Sequence, residues 1–238
     1  MQYNAADEKI IVVVTNYLYN STIEFENDSK IYFKEFNLSK VSPSIQFSNV
    51  PVPMQILEQI QGSLPIVTYE SVDKSFKLTY SDVDKTISFE IVKSEKYLIS
   101  MLKSAIDKFI DAKVSDVKAM GFNFVSQYNL ANKKLKLLNT NIETFIPNFK
   151  NNRAFQVTLL LQLADCVATY KIRKTSGGDD TGEDRIYQID SNFHFDFSTA
   201  RTKDKIDKIA EYVQNLDIVY LNEYKKECNN ILAMSNDV

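Results

Sequence analysis

The stretch FKLTYSDVDKTISFEIVKSEKYLISMLKSAIDKFI, residues 76–110, decides the fold class of this chain. Apolar residues occupy alternate positions in 76–80 and again in 87–91, which is the pattern of strands with one buried face. The short polar turn between the two runs indicates an antiparallel hairpin. After the hairpin the apolar period becomes helical, with the repeating positions Leu98, Met101, Leu102, Ala105, Ile106, Phe109 and Ile110. The stretch therefore predicts an antiparallel sheet with an amphipathic helix packed on one face.

Similar patterns recur along the whole chain. Apolar alternation and short apolar runs predict strands at 10–15, 22–26 and 31–36, three strands within 66–92, a strand at 117–125, and a second hairpin from 154–173 and 185–197. Helical periods predict helices at 54–60, 95–112 and 201–233, the last as one long helix or as two joined near Asn215. We therefore predict an α+β fold, with an antiparallel sheet or sheets and long amphipathic helices packed on one face.

The domain organisation follows from the same order of elements. Strands then a helix, followed again by strands then a helix, suggest two related halves within a single domain that spans residues 1–238. The polar, Asn- and Lys-rich stretch 129–152 is the best candidate for a soft boundary between them. The pattern leaves open whether there is one sheet or two, and whether residues 1–36 belong to the main sheet.

Composition and charge restrict the partners and the compartment. The net charge of −3 and the single short basic stretch at 133–136 argue against nucleic-acid binding, which normally requires a basic surface. The first eight residues lack a positive cluster ahead of an apolar run, and no apolar run is long enough to span a bilayer. With only two cysteines, Cys166 and Cys228, the chain is expected to be cytoplasmic, with reduced thiols and no membrane partner.

Several segments carry a resemblance to known proteins. They are SPSIQF at 42–47, the amphipathic helix, MGFNF at 120–124, the hairpin that ends in IDSNF at 189–193, and the closing helix. From about Asn37 onward this layout resembles a family of sporadically distributed, uncharacterised bacterial proteins of similar length. The order of strands and helices is also similar to that of SecB-like export chaperones. The resemblance implies the fold class; the first family brings no activity with it.

The single histidine restricts catalytic hypotheses. A Ser/His/Asp or Cys/His nucleophile would have to use His194, and Cys166 is predicted on the neighbouring strand of the same hairpin. However, Cys166 lies in an apolar run, which is typical of an inert buried thiol. Asp190, His194 and Asp196 share one strand face, where a metal ion could use two of them. The polar face of a half-buried strand is the favoured interpretation of the same pattern.

The connection within the second hairpin is acidic and rich in glycine. Residues 175–184 contain three glycines and four carboxylates: Asp179, Asp180, Glu183 and Asp184. Their spacing does not match a calcium-binding EF-hand loop. We therefore predict an exposed loop, here called the acidic tip, which is a candidate contact for a basic partner. No phosphate-binding loop, zinc-ligand spacing or nucleophile elbow occurs, and no cofactor is predicted.

These observations favour a non-enzymatic protein that binds another protein, as an adaptor, an inhibitor or an immunity-type factor. The alternative is a SecB-like holdase that binds unfolded chains, and a second alternative is a metal-dependent hydrolase that uses Asp190, His194 or Asp196. The aliphatic run 10–14 would favour a homo-oligomer, or capture of an extended peptide, if it formed an edge strand. A central position is the favoured interpretation of that run. The identity of the partner stays open.

Overall fold

The computed structural model describes residues 5–16, 19, 22–41, 66–113, 117–130, 133–135, 156–163, 166–176 and 185–237. Its strands are β1 (Asp7–Asn16), β2 (Leu38–Lys40), β3 (Ile66–Ser71), β4 (Phe76–Ser81), β5 (Thr86–Val92), β6 (Val117–Asn129), β7 (Lys133–Leu135), β8 (Gln156–Gln162), β9 (Val167–Ser176), β10 (Arg185–Asp196) and β11 (Ser235–Asp237). Its α-helices are α1 (Thr22–Tyr32), α2 (Lys96–Lys113), α3 (Thr202–Gln214) and α4 (Asn222–Ala233). A 3₁₀ turn, Lys34–Phe36, follows α1, and a π-helical segment, Leu216–Leu221, joins α3 to α4.

Nine of these strands form one antiparallel sheet, in the order β2-β3-β4-β5-β1-β6-β10-β9-β8, and β7 pairs separately with β11. The predicted antiparallel α+β class is therefore confirmed. The order repeats a simple plan: a long first strand, then a three-strand meander whose last strand pairs with the first, then a helix. In the N-terminal half these are β1, β3–β5 and α2; in the C-terminal half they are β6, β8–β10 and α3. The two halves join where β1 pairs with β6.

The core lies on one face of this sheet. Ile10, Val12 and Val14 of β1 are buried, and their partners in register on β5 and β6 are buried as well. Each of the four helices contacts this same face through an aromatic pair: Phe25 with Tyr80, Phe109 with Phe89, Tyr212 with Phe195, and Tyr224 with Phe124. Because alternate residues of a strand point to opposite faces, the other face receives the polar residues.

The prediction of strands at 22–26 and 31–36 was wrong, because this segment is mostly the helix α1. The apparent alternation came from Ile23 and Ile31, which are exposed by 65% and 69%. The residues that are buried instead are Phe25, Ser29 and Phe33, at the four-residue spacing of a helix face. The spacing of apolar residues in the sequence does not show which of them face the core.

Two alternatives left open by the sequence are decided, and two expectations are corrected. The run 10–14 lies at the centre of the sheet in β1, paired on both sides, which confirms the favoured interpretation over an edge strand. The segment 201–233 forms two helices joined after Asn215 by the π-helical segment, and long amphipathic helices are not confirmed, since the four helices have between 11 and 18 residues. The segment 154–173, predicted as one side of the second hairpin, contains two strands, β8 and the start of β9, which pair with each other.

Some predictions fall outside the residues that the structure describes. These are the helix at 54–60, most of the acidic tip, and most of the boundary predicted at 129–152. In the part of the chain that is described, no helix is long and apolar enough to cross a membrane.

The packing at the β1–β6 pair, where the two halves join, can be tested by a stability measurement. Phe122 lies opposite Val12, is fully buried, and contacts the rings of Phe195 and Tyr220 at centroid distances of 5.2 and 5.3 Å. We expect Phe122→Ala to lower the free energy of unfolding by about 3–5 kcal/mol, because it leaves a cavity in the core. Urea unfolding monitored by circular dichroism measures this value.

The matched control for this experiment is Leu160→Ala, since Leu160 is 75% exposed. It should change the unfolding free energy by less than about 0.5 kcal/mol. Equal effects of the two substitutions would contradict the packing described here.

Candidate functional site

The face of the sheet opposite the helices contains a hollow of about 560 Å³, here called the open-face groove. It spans β9, β10, β6 and β1 and is lined by polar side chains from Asn123, Thr169, Lys171, Arg173, Asn192 and His194, with Ile11, Val125 and Val167 between them. The strand register explains the arrangement. Thr169 lies opposite Asn192, Asn192 opposite Asn123, and Asn123 opposite Ile11, so these four residues form one row across the floor.

Gly121 keeps part of this floor free of side chains. It lies opposite His194, and a Cβ atom at this position would approach the amide groups of Asn192 and Asn123 to 3.6–3.9 Å, which is ordinary contact distance. The register of β6 with both neighbours is continuous at Gly121. A larger side chain at position 121 would therefore contact these two amides, which line the groove.

One side of the groove carries a charged cluster. The Nη2 atom of Arg173 lies 3.0 Å from Oδ2 of Asp190, and Nε2 of Gln188 donates a hydrogen bond of 2.7 Å to Oδ1 of the same carboxylate. The Nε atom of Arg173 is buried and has no hydrogen-bond acceptor among the described residues. Lys171 lies directly opposite Asp190 in the register, on the same face as Arg173. The cluster thus places two cations beside one carboxylate.

The structure places Asp190, His194 and Asp196 on the open face of β10, as the alternation predicts. His194 and Asp196 are neighbours on this face and interact electrostatically, whereas Asp190 lies four positions from His194, which is ~13 Å along a strand. The carboxylate of Asp196 accepts a hydrogen bond of 2.8 Å from the backbone N–H of Ser198, and the hydrogen bonds from Ser198 lower the pKa of Asp196. Among the described residues no three His, Cys, Asp or Glu side chains converge on a possible metal position.

The second possibility raised by the sequence, contact between Cys166 and His194, is also corrected. Cys166 is buried on the core face, in line with Ala168 and Tyr170, whereas His194 is exposed on the open face. The two side chains therefore point to opposite sides of the sheet. Both cysteines are buried, and they do not form a disulfide bond. The acidic tip, with Asp179, Asp180, Glu183 and Asp184, lies outside the described residues, and its predicted contact role stays a prediction.

The outer edge of β8 is the second candidate site. Leu160 is 75% exposed, and its neighbours Leu159 and Leu161 are each 38% exposed. In the part of the chain that the structure describes, β8 pairs only with β9 and ends the sheet. The strand QVTLLLQ contains no charged residue and no proline. The other end of the sheet is β2, which has three residues and carries Lys40, whose ammonium group binds Glu26.

The hydrogen-bond pattern shows which backbone groups of β8 face outward. The N–H of Leu163 donates to the carbonyl of Cys166 at 2.9 Å, so Leu163 bonds toward β9. Antiparallel strands alternate between bonded and non-bonded pairs. Leu159 and Leu161 therefore also bond toward β9, and the N–H and C=O groups of Leu160 and Gln162 point away from it. This edge was not predictable from the sequence, because the apolar pattern in 154–173 indicated a single strand of the hairpin.

Comparisons with known proteins do not identify the chain. No protein-family model matches it, and neither does any curated protein. Among solved structures, it is similar to the substrate-free duplicated taurocyamine kinase from Schistosoma mansoni, with 9% identity and a TM-score of 0.36 over 89% of this chain and 32% of that one. The same duplicated kinase with bound transition state analog components gives 8% identity and a TM-score of 0.34 over 78% and 29% of the two chains. The chain spans about a third of the length of these structures.

The buried thiol of Cys228 makes the stability of the core depend on alkaline pH. Burial raises the pKa of Cys228 from 9.0 to about 11. The folded state therefore holds this proton more tightly than the unfolded state, and the stabilisation is complete below pH 9 and disappears as the pH rises through 11. The size of the effect is at most roughly 3 kcal/mol.

We expect the difference in unfolding free energy between the wild-type protein and Cys228→Ala to shrink as the pH rises from 8 toward 11. Urea unfolding at several pH values measures this difference. Two parallel curves would show that the thiol does not contribute.

Proposed function

We propose that this protein acts by binding another polypeptide, without catalysis, and that an extended segment of this partner pairs with the outer edge of β8. The observation that supports the proposal most is the contrast between the two ends of the sheet. One end is the short strand β2 with its lysine, and the other is a seven-residue uncharged strand with three consecutive leucines. Proteins usually protect edge strands with charges, prolines, bulges or short length, because an open edge recruits other strands.

The repeated topology supports the same proposal. β3 and β8 hold equivalent positions, as the outermost strands of the two meanders. In the N-terminal half the outer edge of β3 is covered by β2, with Ser39 opposite Glu70 in register. No strand among the described residues covers the corresponding edge of β8. A partner strand on β8 would therefore occupy the place that β2 occupies in the other half.

When a partner adds a strand to a sheet edge, different groups determine its affinity and its specificity. Main-chain hydrogen bonds provide affinity, and alternate side chains of the added strand enter different environments. On β8 the main-chain groups come from Leu160 and Gln162. Leu160 supplies an apolar contact on the open face, and Leu159 and Leu161 supply contacts toward the helix-covered face. This arrangement fits an extended, apolar segment of an adaptor's target or of an inhibited protein.

The acidic tip is a second contact region in this proposal. The tip connects β9 to β10, and Gln156, at the start of β8, lies opposite Arg173 near the end of β9. Ser176 and Arg185, which pair at the described ends of β9 and β10, thus lie at the end of the sheet where β8 begins, and Asp179, Asp180, Glu183 and Asp184 fall between them in the sequence. We propose that these carboxylates meet basic residues that flank the partner's extended segment.

The sequence of β8 favours a second candidate, an oligomeric SecB-like holdase. QVTLLLQ is nearly palindromic about Leu159, so an antiparallel copy would place Leu159 opposite Leu159, Thr158 opposite Leu160, and Gln156 opposite Gln162. This register also places the outward-facing groups of Leu160 within the hydrogen-bonded pairs of the new ladder. No like charges oppose the pairing. A chaperone of this kind would bind unfolded chains as a homo-oligomer.

The strand-addition proposal is tested by comparing Leu160→Pro with Leu160→Ala. The proline removes an outward N–H that β9 does not use, and prolines are tolerated on edge strands. We expect Leu160→Pro to keep the fold, as judged by circular dichroism, and to weaken partner binding by about tenfold or more. Leu160→Ala should bind more tightly than the proline variant, because it keeps the N–H.

The partner for this test is obtained by affinity capture of the tagged wild-type protein from its native lysate, identified by mass spectrometry, and then purified. Its affinity for each variant is measured by calorimetry. Equal affinities of the proline and alanine variants would exclude a main-chain pairing at Leu160. Deletion of residues 177–182 tests the acidic tip in the same assay.

The self-pairing candidate predicts a specific cross-link. Leu159 would lie opposite its own copy in a non-hydrogen-bonded pair, at a Cα separation of about 4.5 Å, which is within disulfide range. Leu159→Cys should therefore form a disulfide-linked dimer under mild oxidation. Leu161→Cys is the matched control, because it has the same exposure and face but would lie ~13 Å from its copy. A monomer in sedimentation velocity and equal cross-linking of both variants would exclude this register.

A further inference from the structure

The open-face groove has the dimensions of a small-molecule site and is distinct from the outer edge of β8. Its volume of about 560 Å³ falls within the range of roughly 300–1,000 Å³ that small-molecule pockets occupy. It is built on four paired strands of the sheet, so the side chains that line it start from fixed backbone positions. The side chains that line the groove are mostly polar, with apolar contact from Ile11, Val125 and Val167.

The charges of the groove favour an anionic ligand. Lys171 and Arg173 project to the same face from alternate positions of β9, which places their Cα atoms about 7 Å apart. Asp190 is the carboxylate that lies between them, and its two oxygens already accept from Arg173 and Gln188. Lys171 makes no ion pair with a described residue. One positive charge of the cluster therefore remains uncompensated.

The guanidinium group of Arg173 has further hydrogen-bond donors besides the one that contacts Asp190. Asp190 uses Nη2, and the buried Nε has no acceptor among the described residues. A buried donor without an acceptor costs roughly 1–3 kcal/mol, and a small rotation of the guanidinium toward an added oxygen would remove this cost. Planar guanidinium groups bind carboxylate and phosphate oxygens through paired hydrogen bonds.

The floor beside this cluster can recognise the rest of a ligand. The amide groups of Asn123 and Asn192 face each other in register, and each amide both donates and accepts hydrogen bonds. Ile11 and Val125 provide apolar contact at the far side. The absence of a side chain at Gly121 leaves space next to both amides.

We propose that the open-face groove binds a small organic anion, with its carboxylate or phosphate group between Lys171 and Arg173 and its polar body against Asn123 and Asn192. The anionic oxygen is the shared chemistry of the two ligand types. The proposal is independent of strand addition at β8, because none of these residues belongs to that strand.

The test uses the full-length protein with succinate and inorganic phosphate as probes, at constant ionic strength adjusted with potassium chloride. Isothermal titration calorimetry measures the affinity, and thermal unfolding measures stabilisation by the bound probe. We expect saturable binding of at least one probe at millimolar concentration. Preference for succinate would identify a carboxylate site, and preference for phosphate would identify a phosphate site.

Three variants locate the binding. Arg173→Gln and Gly121→Leu should each weaken the affinity by about tenfold or more, the first by removing the cation and the second by crowding the amides of Asn123 and Asn192. Lys77→Gln is the matched control, because Lys77 lies on the same face in the other half, opposite Glu90, and should leave the affinity unchanged. Circular dichroism confirms that each variant is folded.

Two results would overturn the proposal. One is the absence of saturable binding for both probes, and the other is binding that Arg173→Gln and Gly121→Leu leave unchanged. The second result would indicate only general attraction of anions to surface lysines. A β8 partner should bind Arg173→Gln as tightly as the wild-type protein, so failure of this proposal is distinguishable from failure of the strand-addition proposal.

Discussion

The antiparallel pairing of β1 with β6 is the contact on which the rest of the structure depends. Nine positions of β1 are in continuous register with β6, from Asp7 opposite Gln127 to Thr15 opposite Ala119, and the register shifts before Asn16. Each half of the protein contributes one of these two strands. The meander of the N-terminal half pairs with the outer side of β1, and the meander of the C-terminal half pairs with the outer side of β6. A shift of one residue in this register would exchange the buried and open faces of one half relative to the other. The buried row of Val12 and Phe122 therefore fixes both the core and the composition of the open face.

This constraint leads to the two surfaces that we associate with function. Because all four described helices pack on one face, the polar residues of β1, β6, β10 and β9 collect on the other face, and the open-face groove forms there. Because the two meanders extend in opposite directions from the central pair, the sheet has two edges, which are protected very differently. The groove and the outer edge of β8 share β9, in which Thr169 lies opposite both Leu160 and Asn192.

Sequence patterns predicted the parts of this fold in which a strand or helix has one simple buried face. The β4–β5 hairpin, α2 and the alternation of β10 belong to this group. The pattern failed in α1, where the exposed Ile23 and Ile31 imitated a strand, and in 154–173, where an apolar run concealed the division into β8 and β9. The groove was not predictable, because Arg173 and Asp190 meet only through the register of β9 with β10. His194 attracted attention as the only histidine of the sequence, yet it lies ~13 Å along β10 from Asp190 of the charged cluster.

The most direct test of the account is residue-resolved amide hydrogen exchange of the dilute free protein, followed by NMR. The account predicts slow exchange at Leu159 and Leu161, whose N–H groups bond to β9, and fast exchange at Leu160 and Gln162, whose N–H groups face outward. Addition of the partner should slow exchange at Leu160 and Gln162 while leaving the other two unchanged. Slow exchange at all four positions in the dilute free protein would contradict the account, because the outer edge of β8 would then already be covered.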